Sequence, residues 1–312
     1  MRPRETASSP GPRNLLSCSG FRSCRAAQSV QGARTARMLI SVIVTTYNMP
    51  EWLEKVLWGY GAQDDRGFEV VVADDGSGPA TRELLERVGP GLGVPLRHVW
   101  HDDRGFRKCE ILNRAILAAR GDYLLFTDGD CIPRRDLVAV HRSLARPGRF
   151  LSGGYIKLPL AVSRALTRDD VGAGHATSYR WLRAHGVPAG RQLLRLAVGS
   201  PLAALLDRVT STRPTFNGHN ASVWRADAVA VNGFEESMAY GGLDREFGER
   251  LENAGIRGTQ VRYRTAVVHL DHERGYRNEA ALARNRAIRD EVAATRRTRA
   301  LVGLDRHGLI PA

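Results

Sequence analysis

A short apolar run that ends in two carboxylates constrains this chain more than any other feature. Residues 123–127 are continuous and apolar, and Asp128, Gly129 and Asp130 close the run. A run of this length closed by a glycine-bearing turn predicts a buried strand. Two carboxylates at its end, with a glycine that permits close backbone approach, favour a hard cation such as Mg²⁺ or Mn²⁺. Because such a metal usually also binds substrate phosphates, the run indicates an enzyme that uses a phosphorylated donor.

From Met38 onward, strands and helices alternate. Strands are predicted over residues 39–45, 68–73, 96–100 and 122–127, and helices over 50–60, 80–88 and 110–120. This order predicts an α/β fold with a Rossmann-like, mainly parallel sheet flanked by helices. Ligands bind such sheets beyond the carboxyl ends of the strands. We therefore expect Asp75 to share one crevice with Asp128 and Asp130.

The two ends of the chain differ from this pattern. Residues 1–37 are rich in Arg, Ser, Gly and Pro and lack periodicity, which predicts a disordered basic extension. Either the extension is a transit peptide or translation starts at Met38. We favour the second, because the first strand begins immediately after Met38. In the second half, we predict a strand over 150–157, basic helical stretches over 160–212 and a basic C-terminal helix over 277–298.

The composition limits the classes of partner. The chain has 312 residues, of which 43% are hydrophobic and 25% charged, as is usual for a globular protein. The net charge of +13 is compatible with nucleic acid, anionic lipid or phosphorylated substrates, and equally with a solvated basic surface. Because the sequence contains no known nucleic-acid recognition motif, we expect no nucleic-acid partner. The Arg-rich stretches in 160–212 and the C-terminal helix are expected to make peripheral contact with anionic membrane.

Cysteine usage and hydropathy bear on the location of the protein. The cysteines, Cys18, Cys24, Cys109 and Cys131, form no Cys-x-x-Cys pair, which disfavours a disulfide framework or structural zinc site. No apolar run approaches the roughly 20 residues that span a bilayer. We therefore expect a cytoplasmic protein, with contact at the inner face of the cytoplasmic membrane as a further expectation.

Six motifs in order resemble those of a known enzyme family. Residues 41–48, 70–77 and 125–133, which end in or contain Thr-Thr-Tyr-Asn, Asp-Asp-Gly-Ser and Thr-Asp-Gly-Asp, resemble the nucleotide-sugar half of a family 2 glycosyltransferase with the GT-A fold. Residues 216–225, 231–235 and 240–247 resemble the acceptor segment of galactosyltransferase-like and chondroitin-polymerase-like members. The resemblance covers residues 40–275. It implies a domain over 38–275, with a nucleotide-sugar half (38–157) and an acceptor half (158–275), followed by a basic helix and tail (276–312).

The resemblance implies a set of residues around the donor. Asp75 would accept a hydrogen bond from the base, and a basic segment would neutralise the diphosphate. Tyr47 could instead be a packing aromatic. The expected donor-site residues are Thr46, Tyr47, Asn48, Asp75, Arg107, Lys108, Asn113, Asp128 and Gly129.

The resemblance also implies a metal set. Asp130 is the firmer ligand, and Asp128 would contact either the ribose or the metal, directly or through water. A third ligand is expected from His269, with His272 in reserve. A mixed carboxylate–imidazole site suits Mn²⁺ better than a pure oxygen cage would, so we expect Mn²⁺ or Mg²⁺.

Asp244 is the residue expected to act as the general base, by the same resemblance. Relatives commonly carry Gly-Gly-Glu-Asp here, whereas this chain has Leu243 in place of the glutamate. That departure leaves the base in place and changes the surface offered to the acceptor. A second interpretation of Asp244 is a carboxylate stabilised by a helix N-terminus. The acceptor or sugar pocket is expected to include Asn217, His219, Gly241 and Gly242.

These expectations lead to one functional hypothesis and two alternatives. The favoured function is metal-dependent, inverting transfer of a sugar from a nucleoside diphosphate sugar, preferably UDP-linked, to a hydroxyl of a glycan or glycolipid. A nucleotidyltransferase-like enzyme would usually carry a glycine-rich basic loop where this chain has Thr45 to Asn48. The other alternative is a weakly active or inactive homologue that acts as a basic membrane- or glycan-binding protein.

Overall fold

Two β-sheets form the framework of the computed structural model, which describes residues 38–272 and 278–308. The strands are β1 (Ile40–Thr46), β2 (Phe68–Asp74), β3 (Leu96–Trp100), β4 (Tyr123–Asp128), β5 (Cys131–Ile132), β6 (Arg149–Ser152), β7 (Gly154–Lys157), β8 (Ala221–Trp224), β9 (Arg257–Gln260) and β10 (Ala266–His269). The helices are α1 (Pro50–Gly61), α2 (Pro79–Val88), α3 (Lys108–Ala118), α4 (Leu137–Leu144), α5 (Leu160–Ala165), α6 (Arg168–Gly172), α7 (Tyr179–Ala184), α8 (Ser200–Val209), α9 (Arg225–Ala230), α10 (Leu243–Asn253) and α11 (Glu279–Thr295). The first four strands and three helices lie within two residues of their predicted bounds.

The larger sheet confirms the predicted, mainly parallel architecture. Its seven strands follow the order β3-β2-β1-β4-β8-β6-β9. Strands β3, β2, β1 and β4 are parallel to one another. Strand β8 is antiparallel to both β4 and β6, and β9 is parallel to β6. The chain order reverses on the two sides of β1. In such sheets the reversal leaves a crevice at the carboxyl ends of the strands, which is the usual place for a ligand.

The central strands are buried on both faces. On β1, Val42 and Val44 pack in one apolar core with Tyr60 of α1, whereas Ile43 packs in a second core with Phe247 of α10. A strand covered by helices on both sides needs apolar residues at every position. This double burial explains why the central strands are continuous apolar runs in the sequence and do not alternate.

The strand predicted over residues 150–157 is in fact two strands of different sheets. β6 belongs to the larger sheet, and β7 belongs to the smaller one. Between them, the amide of Gly153 donates to the carbonyl of Asn220 at 2.8 Å, and a Cβ at Gly153 would lie 2.3 Å from the Asn220 side chain. The single glycine therefore permits a close approach that breaks the strand, which the apolar pattern did not indicate.

The smaller sheet joins distant parts of the chain in the order β5-β10-β7. β5 follows Asp130 directly and pairs antiparallel with β10, so that Cys131 lies opposite His269. The amide of Leu270, just beyond β10, donates to the carbonyl of Asp130 at 2.8 Å. This pairing places Asp130 beside the end of β10.

Helix α10 is fixed by an ion pair that has no exposed surface. Arg250 Nε donates to Glu246 Oε1 at 2.6 Å, and both side chains are fully buried. The same guanidinium donates to the carbonyls of Val231 and Gly233. Because a buried charge must be paired and hydrogen-bonded, these contacts hold α10 against the preceding loop.

The C-terminal helix, α11, is shorter than the predicted 277–298. Asn278 caps it, since its Oδ1 accepts hydrogen bonds from the amides of Ala280 and Ala281. The predicted N-terminal extension, residues 1–37, lies outside the described residues, as do Cys18 and Cys24. Within the described ranges, Cys109 and Cys131 are buried free thiols, and no helix is long and apolar enough to cross a bilayer.

Candidate functional site

A cavity of about 580 Å³ opens at the carboxyl ends of β1 and β4. Most of the residues that the sequence predicts for the site line this cavity, and they come from both halves of the chain. Those lining it are Thr46, Tyr47, Asp75, Lys108, Asp128, Gly129, Asp130, His219, Gly241, Gly242, Asp244, His269 and His272. Asp75 and the Asp128–Asp130 turn therefore share one crevice, as expected.

The turn after β4 is built against β1. The amide of Gly129 donates to the carbonyl of Thr45 at 2.7 Å, and a Cβ at Gly129 would lie 2.8 Å from that oxygen. A glycine is required because no side chain fits between the two strands. Thr45 Oγ1 in turn donates to Asp128 Oδ1 at 2.8 Å. The turn thus holds Asp128 and Asp130 in fixed positions at the floor of the cavity.

Lys108 is the central cation of the cavity. It lies at the start of α3, and its Nζ donates to Asp128 Oδ1 at 2.6 Å. Burial opposes the charge of Lys108, but the carboxylates of Asp128 and Asp244 more than compensate and raise its pKa. Burial likewise opposes the charge of Asp128, yet the Lys108 ammonium holds the pKa of that carboxyl well below its usual range. Both groups are therefore charged throughout the physiological range.

Three donor atoms of the kind that bind divalent metals converge beside this pair. His272 Nε2 lies 2.8 Å and His269 Nε2 lies 3.4 Å from Asp130 Oδ2. Ligand atoms of the three residues all lie within 4.8 Å of one another. The carbonyl of Leu270 is 2.7 Å from His269 Nδ1, which directs Nε2 toward Asp130. A carboxylate with two imidazoles fits a divalent transition metal such as Mn²⁺.

The sequence ranked His269 above His272 and included Asp128 among the ligands. Both histidines lie beside Asp130, whereas Asp128 accepts hydrogen bonds from Lys108 and Thr45. A second group of Asp128, Asp130 and Cys131 is also close enough to share an ion. Burial raises the pKa of the Cys131 thiol well above its usual range, which disfavours the thiolate that would bind a metal. The Asp130–His269–His272 set is therefore the better metal candidate.

Asp75 is a further carboxylate of the cavity lining. His101 Nε2 lies 2.8 Å from its Oδ1, and the amide of Arg107 donates to its Oδ2 at 3.0 Å. Burial raises the pKa of Asp75. No motif in the sequence marks His101, a buried residue directly after β3. Its contact with Asp75 shows that it orients this carboxylate. Tyr47 is 45% exposed, with its hydroxyl donating to Asp103, and is not packed in the core.

Asn113 is a correction to the predicted donor site. Its side chain is fully buried, its amide donates to Phe234 O and Glu236 Oε1, and its Oδ1 accepts from Phe234 N. These bonds occupy both ends of the amide and leave it no surface in the cavity. Asn113 instead joins α3 to the loop before α10, a role that the motif match could not distinguish from ligand binding.

Three further predicted residues lie outside the lining of this cavity. Asn48 Oδ1 accepts from the amide of Gly78 and so joins two loops. The Arg107 guanidinium pairs with Glu110, and only its backbone amide reaches Asp75. Asn217 lines a neighbouring cavity, described below. The first two support the site through the backbone and do not line it.

Asp244 lies at the start of α10, directly after Gly242, which has a φ of 83°. Burial raises the pKa of the Asp244 carboxyl to about 6; the Lys108 charge opposes this rise and the Asp128 charge adds to it. Within the described residues, its buried Oδ1 accepts no hydrogen bond. A carboxylate at a helix N-terminus with an uncommitted oxygen and a pKa near 6 can take up a proton near neutral pH.

The loop before Asp244 is held by α11, which the sequence did not associate with the site. Asn285 Nδ2 donates to the carbonyls of Ala239 and Gly241, each at 2.8 Å. A Cβ at Gly241 would lie 2.2 Å from Leu282, so the helix and the loop are in direct contact. No sequence signal marks Asn285, because a single asparagine in a basic helix is most often solvated.

Leu243, where the family pattern breaks, is 4% exposed. It lines the cavity and packs in the same apolar core as Phe247. The leucine thus presents an apolar surface to the cavity beside the Asp244 carboxyl.

Comparison with known proteins finds a family match in the first half of the chain. Residues 41–146 match the family model described as Glycosyl transferase family 2. A validoxylamine A glucosyltransferase of Streptomyces hygroscopicus subsp. jinggangensis is 28% identical over 78% of this chain and 58% of its own length. The uncharacterized glycosyltransferase YfnE of Bacillus subtilis is 37% identical over 33% of this chain and 26% of its own length. The chain therefore spans between a quarter and three-fifths of the length of these curated relatives.

Solved structures agree with the fold. Residues 1–349 of TarS from S. aureus superpose with a TM-score of 0.55 at 16% identity, over 86% of this chain and 68% of that one. The mannosyltransferase PcManGT from Pyrobaculum calidifontis, in complex with GDP-Man and Mn²⁺, superposes with a TM-score of 0.50 at 22% identity, over 83% and 68%. At these identities the likeness shows the GT-A fold alone.

The metal set predicts a specific loss of Mn²⁺ binding. Because Mn²⁺ bound to the native state raises its stability by mass action, Mn²⁺ should raise the Tm of the metal-stripped wild type. Asp130→Ala should abolish this rise. His269→Ala and His272→Ala should each weaken Mn²⁺ binding at least about tenfold. Thermal-shift titration measures the affinities, with Asp122→Ala, an exposed carboxylate, as the control. Equal Mn²⁺ affinity in all variants would exclude this ligand set.

Proposed function

We propose that this chain is a metal-dependent, inverting glycosyltransferase. The match of residues 41–146 to the Glycosyl transferase family 2 model and the fold shared with TarS support this proposal. It transfers a sugar from a nucleoside diphosphate sugar, with UDP as the favoured nucleotide, to a hydroxyl of a glycan or glycolipid on the cytoplasmic side of the membrane. One observation carries the proposal: a single cavity combines Lys108, the Asp130–His269–His272 set and Asp244.

The donor would extend from Asp75 to the metal candidate. Asp75 and Tyr47 line the cavity and would bind the base, and Lys108 lines it too and would neutralise the diphosphate. Asp130, His269 and His272 would hold the ion, whose charge would offset that of the departing diphosphate. TarS has been solved with UDP-GlcNAc and PcManGT with GDP-Man and Mn²⁺, which supports a nucleotide-sugar donor here.

Asp244 would activate the acceptor. Its Oδ1 takes the proton of the acceptor hydroxyl as the hydroxyl oxygen forms a bond to the anomeric carbon and the bond from that carbon to the diphosphate breaks. Attack from the side opposite the leaving group inverts the anomeric configuration. Lys108 donates to Asp128 and holds that carboxyl in its anionic form. The same positive charge limits the rise in the pKa of Asp244. Asp128 thus forms an ion pair with Lys108, whereas burial is the main cause of the raised pKa of Asp244.

Replacing the proposed base tests the mechanism directly. Asp244→Asn keeps the shape of the side chain but cannot accept the proton, so turnover should fall about 10²- to 10⁴-fold. Release of UDP or GDP from a panel of nucleotide sugars, with Mn²⁺ and candidate acceptors, measures turnover. Asp122→Asn is the control at an exposed position. Nucleotide binding by thermal shift should be retained, and unchanged turnover in Asp244→Asn would exclude its role as the base.

The raised pKa of Asp244 predicts the acidic side of the pH profile. The base acts only when it is deprotonated, so activity appears as the pH rises through about 6 and is lost tenfold per unit below it. The dependence of kcat/KM for the acceptor on pH is the measurement. A decline that begins only near pH 4, where an ordinary aspartate titrates, would contradict the buried environment described for Asp244.

We also propose peripheral contact with anionic membrane through α8. Leu202, Leu205 and Val209 follow one another at helical spacing and are 53%, 54% and 67% exposed. Arg208, on the same helix, is exposed beside them. An apolar face next to a cation fits a surface rich in anionic lipid headgroups. Arg195, which the sequence grouped with the lipid-binding arginines, lines a cavity instead.

Placing acidic residues on the apolar face of α8 tests this contact. A Leu205→Glu, Val209→Glu variant should lose binding to phosphatidylserine-containing vesicles, because carboxylates are repelled there and cannot enter the interface. Co-sedimentation with such vesicles, and with neutral ones for comparison, measures the effect. Leu301→Glu, at a position 68% exposed outside this helix, is the matched control. Undiminished binding of the double variant would refute the α8 surface.

A further inference from the structure

A second cavity, of about 400 Å³, adjoins the first. The two share the lining residues Tyr155, His219, Gly242 and Asp244. A hydroxyl placed at the Asp244 carboxylate would therefore have the rest of its molecule in the second cavity. If the function proposed above is correct, this second cavity is the acceptor side of the site.

The charged groups of this second cavity are strongly unbalanced. Its lining contains Arg195, Arg245 and Arg262, and Asp244 is its only carboxylate. Among the described residues none of the three arginines forms an ion pair, and the Nε atoms of Arg195 and Arg262 are buried without a hydrogen-bond partner. Buried guanidinium groups normally have anionic or carbonyl partners. The lining of the second cavity thus carries an excess of positive charge that its own residues do not balance.

Neighbouring groups do not compensate these arginines. The carboxylate of Asp207 accepts from Arg264 Nε at 2.8 Å and from the amide of Tyr263 at 2.9 Å, so it is already engaged. Arg195 donates to the carbonyl of Tyr155 at 3.0 Å, which carries no net charge. Burial, and then the like charge of Arg262, lower the pKa of Arg195. The guanidinium groups of Arg195 and Arg262 thus lie close enough for their like charges to oppose each other.

Gly154 permits Arg195 and Arg262 to lie close to each other. A Cβ at Gly154 would lie 3.1 Å from Arg262 Cβ and 3.3 Å from Arg195 Cδ. Glycine at the start of β7 lets both arginines approach the same strand. Their planar forks suit two-point hydrogen bonding to the oxygens of a phosphate or carboxylate.

We propose that Arg195 and Arg262, assisted by Arg245, bind an anionic group of the acceptor, and that this enzyme selects phosphate- or carboxylate-bearing glycans over neutral ones. The inference rests on the proposed function, which makes the second cavity the acceptor side. It adds a substrate class that the donor site does not determine. The anion lies on the opposite side of Asp244 from the donor diphosphate, which is expected at Lys108.

Arg262→Gln is the primary test, because this side chain makes no hydrogen bond within the described residues and its loss should not disturb the fold. Turnover is compared on three matched acceptors: a neutral oligosaccharide, its phosphorylated form and its uronic acid form. The variant should raise KM for the preferred anionic acceptor about 10- to 100-fold, with kcat much less affected. Arg195→Lys, which keeps the charge but loses the fork, should give a smaller rise. Arg257→Gln, an exposed arginine on β9 outside both cavities, controls for the change in net charge and should have no effect.

A binding measurement separates this inference from the proposed function. Inorganic phosphate and glucuronate should raise the Tm of the wild type, and Arg262→Gln should weaken that effect at least about tenfold while UDP binding stays unchanged. Anion binding without sugar transfer to any acceptor would overturn the proposed function but not the anion site. Equal turnover of neutral and anionic acceptors, with no phosphate or glucuronate binding, would overturn the inference and leave the glycosyltransferase function standing. A preference for the phosphate or the uronate form identifies which anion the site takes.

Discussion

The antiparallel pairing of β5 with β10 is the interaction on which the site depends. Asp130 and His272 are 142 residues apart in the chain, yet their side chains are 2.8 Å apart. Two backbone-paired positions and the Leu270–Asp130 hydrogen bond achieve this. Because β5 has only two residues, it has little stability of its own and relies on β10, which β7 supports from the other side. The metal candidate and the join between the two halves of the chain are therefore one structural feature.

Electrostatics around Lys108 then divide the work among carboxylates of the same chemical type. Asp128 is in direct contact with the ammonium and is held as an anion, whereas Asp244 is buried without such a contact and has a pKa near 6. Asp130 lies beside two histidines and is the member suited to a metal. A single cation at the start of α3 thus distinguishes a fixed anion from a proton acceptor. The spacing of the three aspartates in the sequence does not reveal this distinction.

Local sequence signals were sufficient for the first half of the fold. The apolar runs of β1, β2 and β4 predicted their strands because burial on both faces requires such runs, and the polar residues that end them predicted the crevice. The signals failed where a role depends on distant partners. Asn113 matched a motif, but its partners at Phe234 and Glu236 are far along the chain. Asn285 and His101 act by holding another residue in place, and no local pattern records such a contact.

The two cavities meet at Asp244, and different parts of the fold build them. The donor side is built from the ends of β1, β2 and β4, whose positions are fixed by the central sheet. The second cavity is built from β7, the 3₁₀ segment Leu193–Leu196 and the start of α10, which surround that sheet. Tyr155, His219, Gly242 and Asp244 line both cavities. Under the proposed function, changes in Arg195 or Arg262 would alter the choice of acceptor and leave the proposed donor groups in place. Leu243, in the same apolar core as Phe247, joins the start of α10 to that core.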